Sequence, residues 1–217
     1  MKPLVALGCA ALSAILCAGC GTSAADGGVS LPYYDSPDFT PRWAPVAHRV
    51  ASFRLTTDHG ETITAESLTG KIHVASFVYT KCAAVCPVLV RELTKVQTAT
   101  AGLPDVELVS YSVTPDTDTP ASLAAFGRER SIDPARWHLV TGDKTLIWRL
   151  ARESYFADDP RPLTDPSSPD QAFLHTEKVL LVDRHLRLRG VYNGTSAADI
   201  EHLIADVRLL AASPSTP

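Results

Sequence analysis

The sequence predicts an α/β fold, in which a central mixed sheet flanked by helices begins with an N-terminal hairpin. Short apolar or alternating segments, typical of strands, are interleaved with segments whose apolar residues recur at helical spacing. The chain has 217 residues, of which 45% are hydrophobic and 20% are charged. Because this is enough apolar material for one buried core, we expect a single folded domain.

The first twenty residues have the features of a bacterial lipoprotein signal peptide. Lys2 supplies a positive charge, the apolar stretch 4–16 is short for a membrane span, and small residues precede Cys20. We expect residues 1–20 to be the signal and Cys20 to be lipidated. Cys17 stands where such motifs usually place an aliphatic residue, so an uncleaved N-terminal anchor is the alternative. Either interpretation gives an exported, membrane-anchored protein that faces the periplasm or the cell exterior.

Residues 21–45 are rich in Gly, Ser, Ala, Asp and Pro, which predicts a flexible tether between the lipid and the domain. The folded domain is expected over residues 46–212. Its first segments, 53–55 and 62–64, alternate around Asp58-His59-Gly60 and indicate a hairpin. The apolar run 73–79 then predicts a buried central strand.

The remaining predicted elements alternate between helix and strand, with one long exposed loop among them. They are a helix opened by Pro87, a strand over 106–113, a helix from Thr119-Pro120 to about Arg130, a strand around Trp137, a short helix over 143–153, a Pro-rich loop over 158–170, a hairpin of 178–182 and 186–192, and a helix capped by Ser196. This order matches a thioredoxin-like fold.

The cysteine positions indicate where the chemistry of the domain lies. Of the five cysteines, Cys9 and Cys17 belong to the predicted signal and Cys20 to the predicted lipid, so the domain keeps Cys82 and Cys86. Two cysteines separated by three residues in an oxidising compartment indicate a Cys82–Cys86 disulfide, a redox pair or a soft-metal site.

The residues around this pair predict its local structure and reactivity. Pro87 disfavours helical backbone at Cys86, so both cysteines are expected in the loop and cap before the helix. The positive end of the helix and the charge of Lys81 are expected to lower both thiol pKa values. An imidazole would complete a trigonal site suited to copper, whereas zinc prefers a fourth ligand. Spacing alone still ranks a disulfide or redox pair ahead of a metal site.

Other polar and aromatic residues receive structural interpretations. His73 is expected to be a core residue, Asp116 and Asp118 to belong to a turn and a helix cap, and Phe77 and Tyr79 to be core packing. The net charge is −4 with mixed signs along the chain, which does not give the basic surface of a nucleic-acid-binding protein. No Ser-His-Asp set, glycine-rich phosphate loop or zinc motif is present in the sequence.

The chain resembles the Sco/SenC family over roughly residues 49–204. The matching sequences are "FVYTKC", the C-x-x-x-C-P motif of Cys82, Cys86 and Pro87, "VSYSVTPDTDTP", "WHLVTG" and "LLVDRHLRLRGVYNG". The resemblance implies that the protein binds copper, with Cys82, Cys86 and a distal histidine as the ligands. His175, in "FLHTEKVLLVD", occupies the place of that histidine.

The resemblance also implies a function and a partner. It implies a metallochaperone that delivers copper to the dinuclear copper centre of cytochrome c oxidase, with a respiratory oxidase copper-site subunit or another periplasmic copper protein as recipient. The alternative is a thiol-disulfide oxidoreductase that reduces cysteines of such a partner, and a third possibility is a structural lipoprotein with a fixed disulfide.

Two sequence features bear on these alternatives. Residues 171–191 contain no proline, so the cis-proline of many thioredoxin-like oxidoreductases has no candidate around His175, which disfavours the oxidoreductase. The chain also departs from the usual family sequence close to the cysteines, which predicts a changed copper affinity or reduction potential. These departures are at Lys81, Ala83, Ala84 and Thr114.

Overall fold

A computed structural model describes residues 30–158 and 176–213. Within them the strands are β1 (Arg54–Thr57), β2 (Thr62–Thr64), β3 (Ile72–Val78), β4 (Val106–Ser112), β5 (Trp137–Thr141), β6 (Lys178–Val182) and β7 (Leu188–Asn193). The helices are α1 (Ala65–Leu68), α2 (Val85–Ala99), α3 (Pro120–Glu129), α4 (Lys144–Arg149), which continues into one π-helical turn (Leu150–Ser154), and α5 (Ala197–Ala212).

The strands form one mixed sheet in the order β2-β1-β5-β4-β3-β6-β7. Strands β3, β4 and β5 are parallel, whereas the outer pairs are antiparallel. All seven residues of β3 and of β4 are buried, as expected for parallel strands covered on both faces. The predicted α/β fold with its N-terminal hairpin is therefore confirmed.

Two apolar clusters cover the two faces of the sheet. One face packs against α2, α3 and α5 through residues such as Leu89, Leu123 and Leu203. The other face packs against α1, α4 and the π-helical turn through Leu68 and Ile147. The sequence did not predict α1, because a segment of four residues is too short to show helical periodicity. The predicted helix over 143–153 covers α4 and most of the π-helical turn, although the change to π geometry was not predicted.

The helix that carries Cys86 is packed directly against the end of β7. At Gly194, a Cβ atom would overlap the side chains of Leu89 and Val179, so only glycine allows this close approach. The backbone N–H of Gly194 also donates to the carbonyl of Glu177 at 2.7 Å, which ties the end of β7 to the residue before β6. Helix α2 is thus held at a short distance from the sheet.

The predicted start of α2 is wrong by two residues. The helix begins at Val85, so Pro87 is its third residue and Cys86 lies inside the first turn. The N–H groups of the first turn have no acceptor within the helix, so a proline at this position removes no hydrogen bond. Cys86 therefore adopts helical backbone, although a proline disfavours that conformation for the residue before it.

Part of the predicted tether packs on the domain. Leu31 is 8% exposed, and Tyr33 and Arg42 exchange backbone hydrogen bonds of 2.8 and 2.9 Å. The N–H of Tyr34 donates to the carbonyl of Leu188 at 3.1 Å, which covers the open edge of β7. We call residues 31–45 the edge segment. Its contacts show that packing begins upstream of the predicted boundary at residue 46.

Several sequence predictions fall on residues outside the described ranges. These are the signal peptide with Cys20, residues 21–29 of the tether, and the loop 158–170 apart from its first residue. That residue, Asp158, is buried and pairs with Arg152 at 2.5 Å, rather than being exposed as predicted. Among the described helices, none combines the length and the apolar character required to cross a bilayer.

Candidate metal centre

The two domain cysteines lie together at the carboxyl end of β3. Cys82 follows the strand in a turn, where its N–H donates to the carbonyl of Tyr79 at 3.3 Å. The N–H of Cys86, in the first turn of α2, donates to the sulfur of Cys82 at 3.2 Å. Both are free thiols, and they are 8% and 5% exposed respectively. The predicted strand, cysteine loop and helix are therefore present.

The two thiols differ in acidity. Burial raises the pKa of Cys82, but hydrogen bonds from Cys86, Ala84 and Tyr79 outweigh it and lower the pKa to about 7. Burial raises the pKa of Cys86 to about 12. The expectation that both pKa values fall is thus wrong for Cys86, because burial outweighs the hydrogen bond with the Tyr79 backbone that lowers its pKa. The contacts that lower the pKa of Cys82 are hydrogen bonds. Lys81, whose charge was expected to contribute, has its side chain exposed to solvent.

A small cavity of about 10 Å³ opens at the cysteines. Its walls include both thiols and an apolar set formed by Phe77, Val85 and Val113, with Tyr79 and Thr176 completing the lining. The core interpretation of Phe77 is confirmed by its 3% exposure, although its ring also borders the cavity. The space is comparable to one water-sized sphere, so a single ion between the sulfurs fits its size.

The described residues supply part of the predicted ligand set. Within residues 30–158 and 176–213, no group of three or more His, Cys, Asp or Glu is placed to hold a metal. His175 lies outside these ranges. Two sulfur donors are soft ligands that favour Cu(I) over hard cations such as Mg²⁺ and Ca²⁺. The donor chemistry of Cys82 and Cys86 therefore fits copper.

The sequence interpretation missed the role of Asp118. This carboxylate is fully buried and accepts hydrogen bonds from Thr80 N (3.2 Å), Thr80 Oγ1 (2.5 Å), Ser112 Oγ (2.7 Å) and Thr114 Oγ1 (3.0 Å). It does not cap a helix, because Thr119 caps α3 by accepting from Ser122 N. The interpretation of Asp118 as a helix cap is therefore wrong, although its backbone N–H does close a turn by donating to the carbonyl of Thr114 at 2.9 Å.

The contacts of Asp118 fix the start of the cysteine loop. Thr80 lies two residues before Cys82, and its N–H and hydroxyl are both held by this one carboxylate. The charge of Asp118 also adds to the effect of burial in raising the pKa of Cys86. By contrast, Asp116 is exposed and pairs with Lys144 at 2.8 Å. Sequence spacing did not distinguish the two acids, since their difference arises from tertiary burial.

His73 belongs to the core on the other face of the sheet. It is fully buried, and its Nε2 lies 3.2 Å from the hydroxyl of Tyr155, which in turn lies 2.9 Å from that of Tyr111. Within the described residues its Nδ1 has no hydrogen-bond partner. Burial lowers the pKa of His73 to about 4, so this histidine is neutral at pH 7.

Comparisons with known proteins agree with this architecture. The family model described as SCO1/SenC matches residues 44–212. A SCO1/SenC family lipoprotein from Bacillus anthracis is 28% identical with a TM-score of 0.67, covering 78% of this chain and 98% of its own. BsSco, a member of the Sco family of cytochrome c oxidase assembly proteins with a disulfide switch, is 25% identical with a TM-score of 0.65, covering 78% and 97%.

A third similar structure carries a metal. Copper-bound ScoI from Bradyrhizobium japonicum is 28% identical with a TM-score of 0.59, covering 76% of this chain and 99% of its own. The family match extends over more than half of the chain and includes both cysteines and the end of α5. The chain therefore belongs to the SCO1/SenC family.

Proposed function

We propose that this protein binds copper and delivers it to the dinuclear copper centre of cytochrome c oxidase during assembly of that enzyme. The observation that carries the proposal is the placement of Cys82 and Cys86, as buried thiols, on one ion-sized cavity. Two relatives support it. ScoI from Bradyrhizobium japonicum was solved with copper bound, and BsSco is a member of a family of cytochrome c oxidase assembly proteins.

The proposed ligands are Cys82, Cys86 and His175. Two thiolates and one imidazole give a trigonal set suited to copper. Thr176, the residue that follows His175, lines the same cavity as both cysteines, which supports the third ligand. Metal ligation requires deprotonated sulfur, so binding is expected to release protons, chiefly from Cys86 at neutral pH.

Delivery would proceed by exchange of ligands with thiols of the recipient. Each copper–sulfur bond to this protein breaks as one to the recipient forms, so no net electron transfer is needed. Cys82 lies in a turn before the helix, whereas Cys86 is part of α2, so we expect Cys82 to be the first ligand to leave. A Cys82–Cys86 disulfide would remove both sulfur donors and block binding.

An anaerobic titration of the reduced chain with Cu(I) tests the proposal. We expect one copper per chain for wild type, no stoichiometric binding for Cys82→Ala or Cys86→Ala, and weaker binding for His175→Ala. His202→Ala is the matched control, because His202 is exposed on α5 and is expected to bind as wild type. A reduced wild-type chain that takes up no copper would reject copper delivery.

A second function is favoured by the unequal acidity of the thiols. In a thiol-disulfide oxidoreductase, the thiolate of Cys82 attacks a partner disulfide and releases one partner thiol, forming a mixed disulfide. The thiol of Cys86 then loses its proton and displaces the second partner thiol. The partner gains two thiols, and this protein is oxidised to the Cys82–Cys86 disulfide. A pKa of about 7 at Cys82 and about 12 at Cys86 fits these separate roles.

Trapping distinguishes this function from copper delivery. With a disulfide-bonded peptide from an oxidase copper-site subunit, Cys86→Ser is expected to accumulate the mixed disulfide, whereas Cys82→Ser is not. Reduction of the peptide by wild type without copper would support the oxidoreductase. An unreactive peptide together with stoichiometric copper binding would leave delivery as the function.

We also propose that residues 1–20 direct export and that Cys20 carries the lipid that holds the domain on the outer side of the membrane. The similar protein from Bacillus anthracis is a lipoprotein, which supports this anchor. The mass of the N-terminal peptide from membrane-purified protein tests it. A lipid-modified Cys20 is expected, and an intact residue 1–20 segment would instead indicate the uncleaved anchor.

A further inference from the structure

An exposed indole lies in the edge segment. Trp43 is 72% exposed, and within the described residues it is the one large hydrophobic side chain left open to solvent. Of the other two tryptophans, Trp137 is fully buried, and Trp148 is partly buried and donates its indole N–H to the carbonyl of Val113 at 3.0 Å. Single exposed apolar residues are common, so the position of Trp43 must decide whether it has a role.

Trp43 lies beside the point where the N-terminal chain enters the domain. The backbone pair of Tyr33 and Arg42 is antiparallel, which places Trp43 next to Pro32 and close to Ser30, the first described residue. Nine residues separate Ser30 from Cys20. An extended chain of this length spans at most about 35 Å, so a lipid on Cys20 would keep Ser30, two residues before Pro32, within that distance of the bilayer.

The edge segment holds Trp43 on a fixed support. The Arg189 guanidinium donates to the carbonyls of Leu31 (2.6 Å) and Pro32 (3.0 Å) and lies 3.9 Å from the centre of the Tyr33 ring. These contacts pair backbone carbonyls with a cation that is itself largely buried. The indole is therefore presented by an ordered surface.

Two exposed cations flank the indole along the chain. Arg42 directly precedes Trp43, with its side chain 51% exposed although it pairs with Asp35 at 3.3 Å. Arg49 is exposed and donates to the carbonyl of His185. A tryptophan flanked by arginines suits the membrane interface, where the indole lies at the headgroup level and the guanidinium groups attract anionic lipids.

Two backbone contacts, nine residues before and seven residues after Trp43, attach the chain at the end of the sheet opposite the cysteines. The chain on either side of Trp43 is attached near the start of β7, through Tyr34 N to Leu188 O and Val50 N to Leu186 O. Strand β7 is antiparallel to β6, and β6 is antiparallel to β3, so β7 and β3 run in the same direction. The cysteines follow the end of β3, about 20 Å along a seven-residue strand.

We propose that Trp43, with Arg42 and Arg49, inserts into the interface of the bilayer that anchors the chain. The inference rests on the proposed lipid anchor at Cys20. The anchor gives proximity alone, whereas the contact of Trp43 gives the domain one orientation. A membrane of zwitterionic and anionic lipids is the proposed occupant of this surface.

Tryptophan fluorescence of the full chain in vesicles of phosphatidylcholine and phosphatidylglycerol tests the contact. The signal of Trp43 is the difference between wild type and Trp43→Phe. We expect brominated lipids to quench this difference signal at least twofold and the vesicles to reduce its quenching by aqueous acrylamide. Arg49→Gln is expected to weaken the lipid quenching, whereas Arg128→Gln, at an exposed site on α3, is the matched control and is expected to leave it unchanged.

The results of these measurements distinguish the membrane contact of Trp43 from the lipid anchor at Cys20. A lipidated Cys20 with Trp43 fully open to acrylamide would overturn the membrane contact and leave the anchor intact. If the N-terminal mass shows no lipid, the anchor fails, and the same quenching of protein added to vesicles still decides whether Trp43 enters the interface. Protection of Trp43 in native membranes but not in lipid vesicles would indicate a protein partner and overturn the contact.

Discussion

Two buried polar networks differ in what they do for the protein. Around Asp118, one buried carboxylate accepts from three side chains and one backbone N–H and fixes the loop that carries Cys82. Around Tyr155, a neutral chain of hydroxyls and imidazole joins β3, β4 and the end of the π-helical turn on the other face of the sheet. The first network fixes the cysteine loop directly, whereas the second lies in the core and reaches the cavity through the ring of Phe77, which packs on Tyr111 and Tyr155.

The largest predicted effect is a loss of stability when Asp118 is replaced, compared with Asp116, the other acid near the cysteine loop. Asp118→Ala removes the common acceptor of four donors, of which Ser112 Oγ is buried and the other three are partly buried, so the free energy of unfolding is expected to fall by about 3 to 5 kcal/mol. Asp116→Ala is the control, because it removes an exposed ion pair and is expected to change the free energy of unfolding by less than about 0.5 kcal/mol. Urea denaturation of the reduced proteins measures both. Equal small effects would contradict the positioning role of Asp118.

The next prediction concerns pH and the neutral network. Burial lowers the pKa of His73 from 6.5 to about 4, so the unfolded chain binds the proton more readily between these values. The contribution of neutral His73 to stability is therefore complete above pH 6.5 and is lost as pH falls towards 4, by roughly 3 kcal/mol. The charge of Glu107 opposes this shift only in part.

Urea denaturation from pH 7 to pH 4 measures this loss. His73→Gln is expected to remove most of the dependence between pH 6.5 and 4, whereas the exposed His202→Gln is expected to retain it. A wild-type stability that is flat over this range would show that His73 is not held neutral by the core.

A smaller effect is expected when one hydroxyl is removed from the neutral network. Tyr155→Phe deletes the group that contacts both His73 and Tyr111, at an expected cost of about 1 to 2 kcal/mol in the free energy of unfolding. Tyr111→Phe removes one of the two contacts and is expected to cost less. Copper binding should stay as in wild type for both variants, and a loss of binding would break the separation of the networks.

The smallest predicted effect is electrostatic. Asp118→Asn removes a negative charge that contributes, after burial, to the raised pKa of Cys86. The midpoint for alkylation of Cys86, measured by mass spectrometry in a Cys82→Ser background, is expected to fall by less than about one pH unit. Asp116→Asn should leave this midpoint unchanged. A rise of the midpoint would show that Asp118 acts on Cys86 through loop position rather than charge.

The sequence predicts those parts of the fold that depend on periodicity and turn residues. The hairpin around Gly60, the buried strand before Cys82 and the helix capped by Ser196 are local patterns, and all three are confirmed. The contact between Leu31 and Arg189 joins residues 158 positions apart, so no local pattern could show that the edge segment packs on β7.

The candidate site also has features that local sequence predicts and features that it does not. The cysteine pair beside a helix start follows from the sequence, because its spacing and the flanking strand and helix are local features. The opposite pKa shifts of Cys82 and Cys86, and the burial of Asp118, depend on tertiary packing that spacing does not encode. His175 was identified through the family resemblance and stays a prediction.

The close packing at Gly194 has a mechanical consequence for the cysteine pair. Because Leu89 fills the space above Gly194, helix α2, which carries Cys86, cannot approach the sheet further. Cys82 stands in a loop whose start is fixed by Asp118, and its sulfur accepts from Cys86 N. We therefore expect residues 81–84 to supply most of any change of distance between the two sulfurs when an ion binds or a disulfide forms. The site pairs a sulfur on a packed helix with a sulfur on a loop.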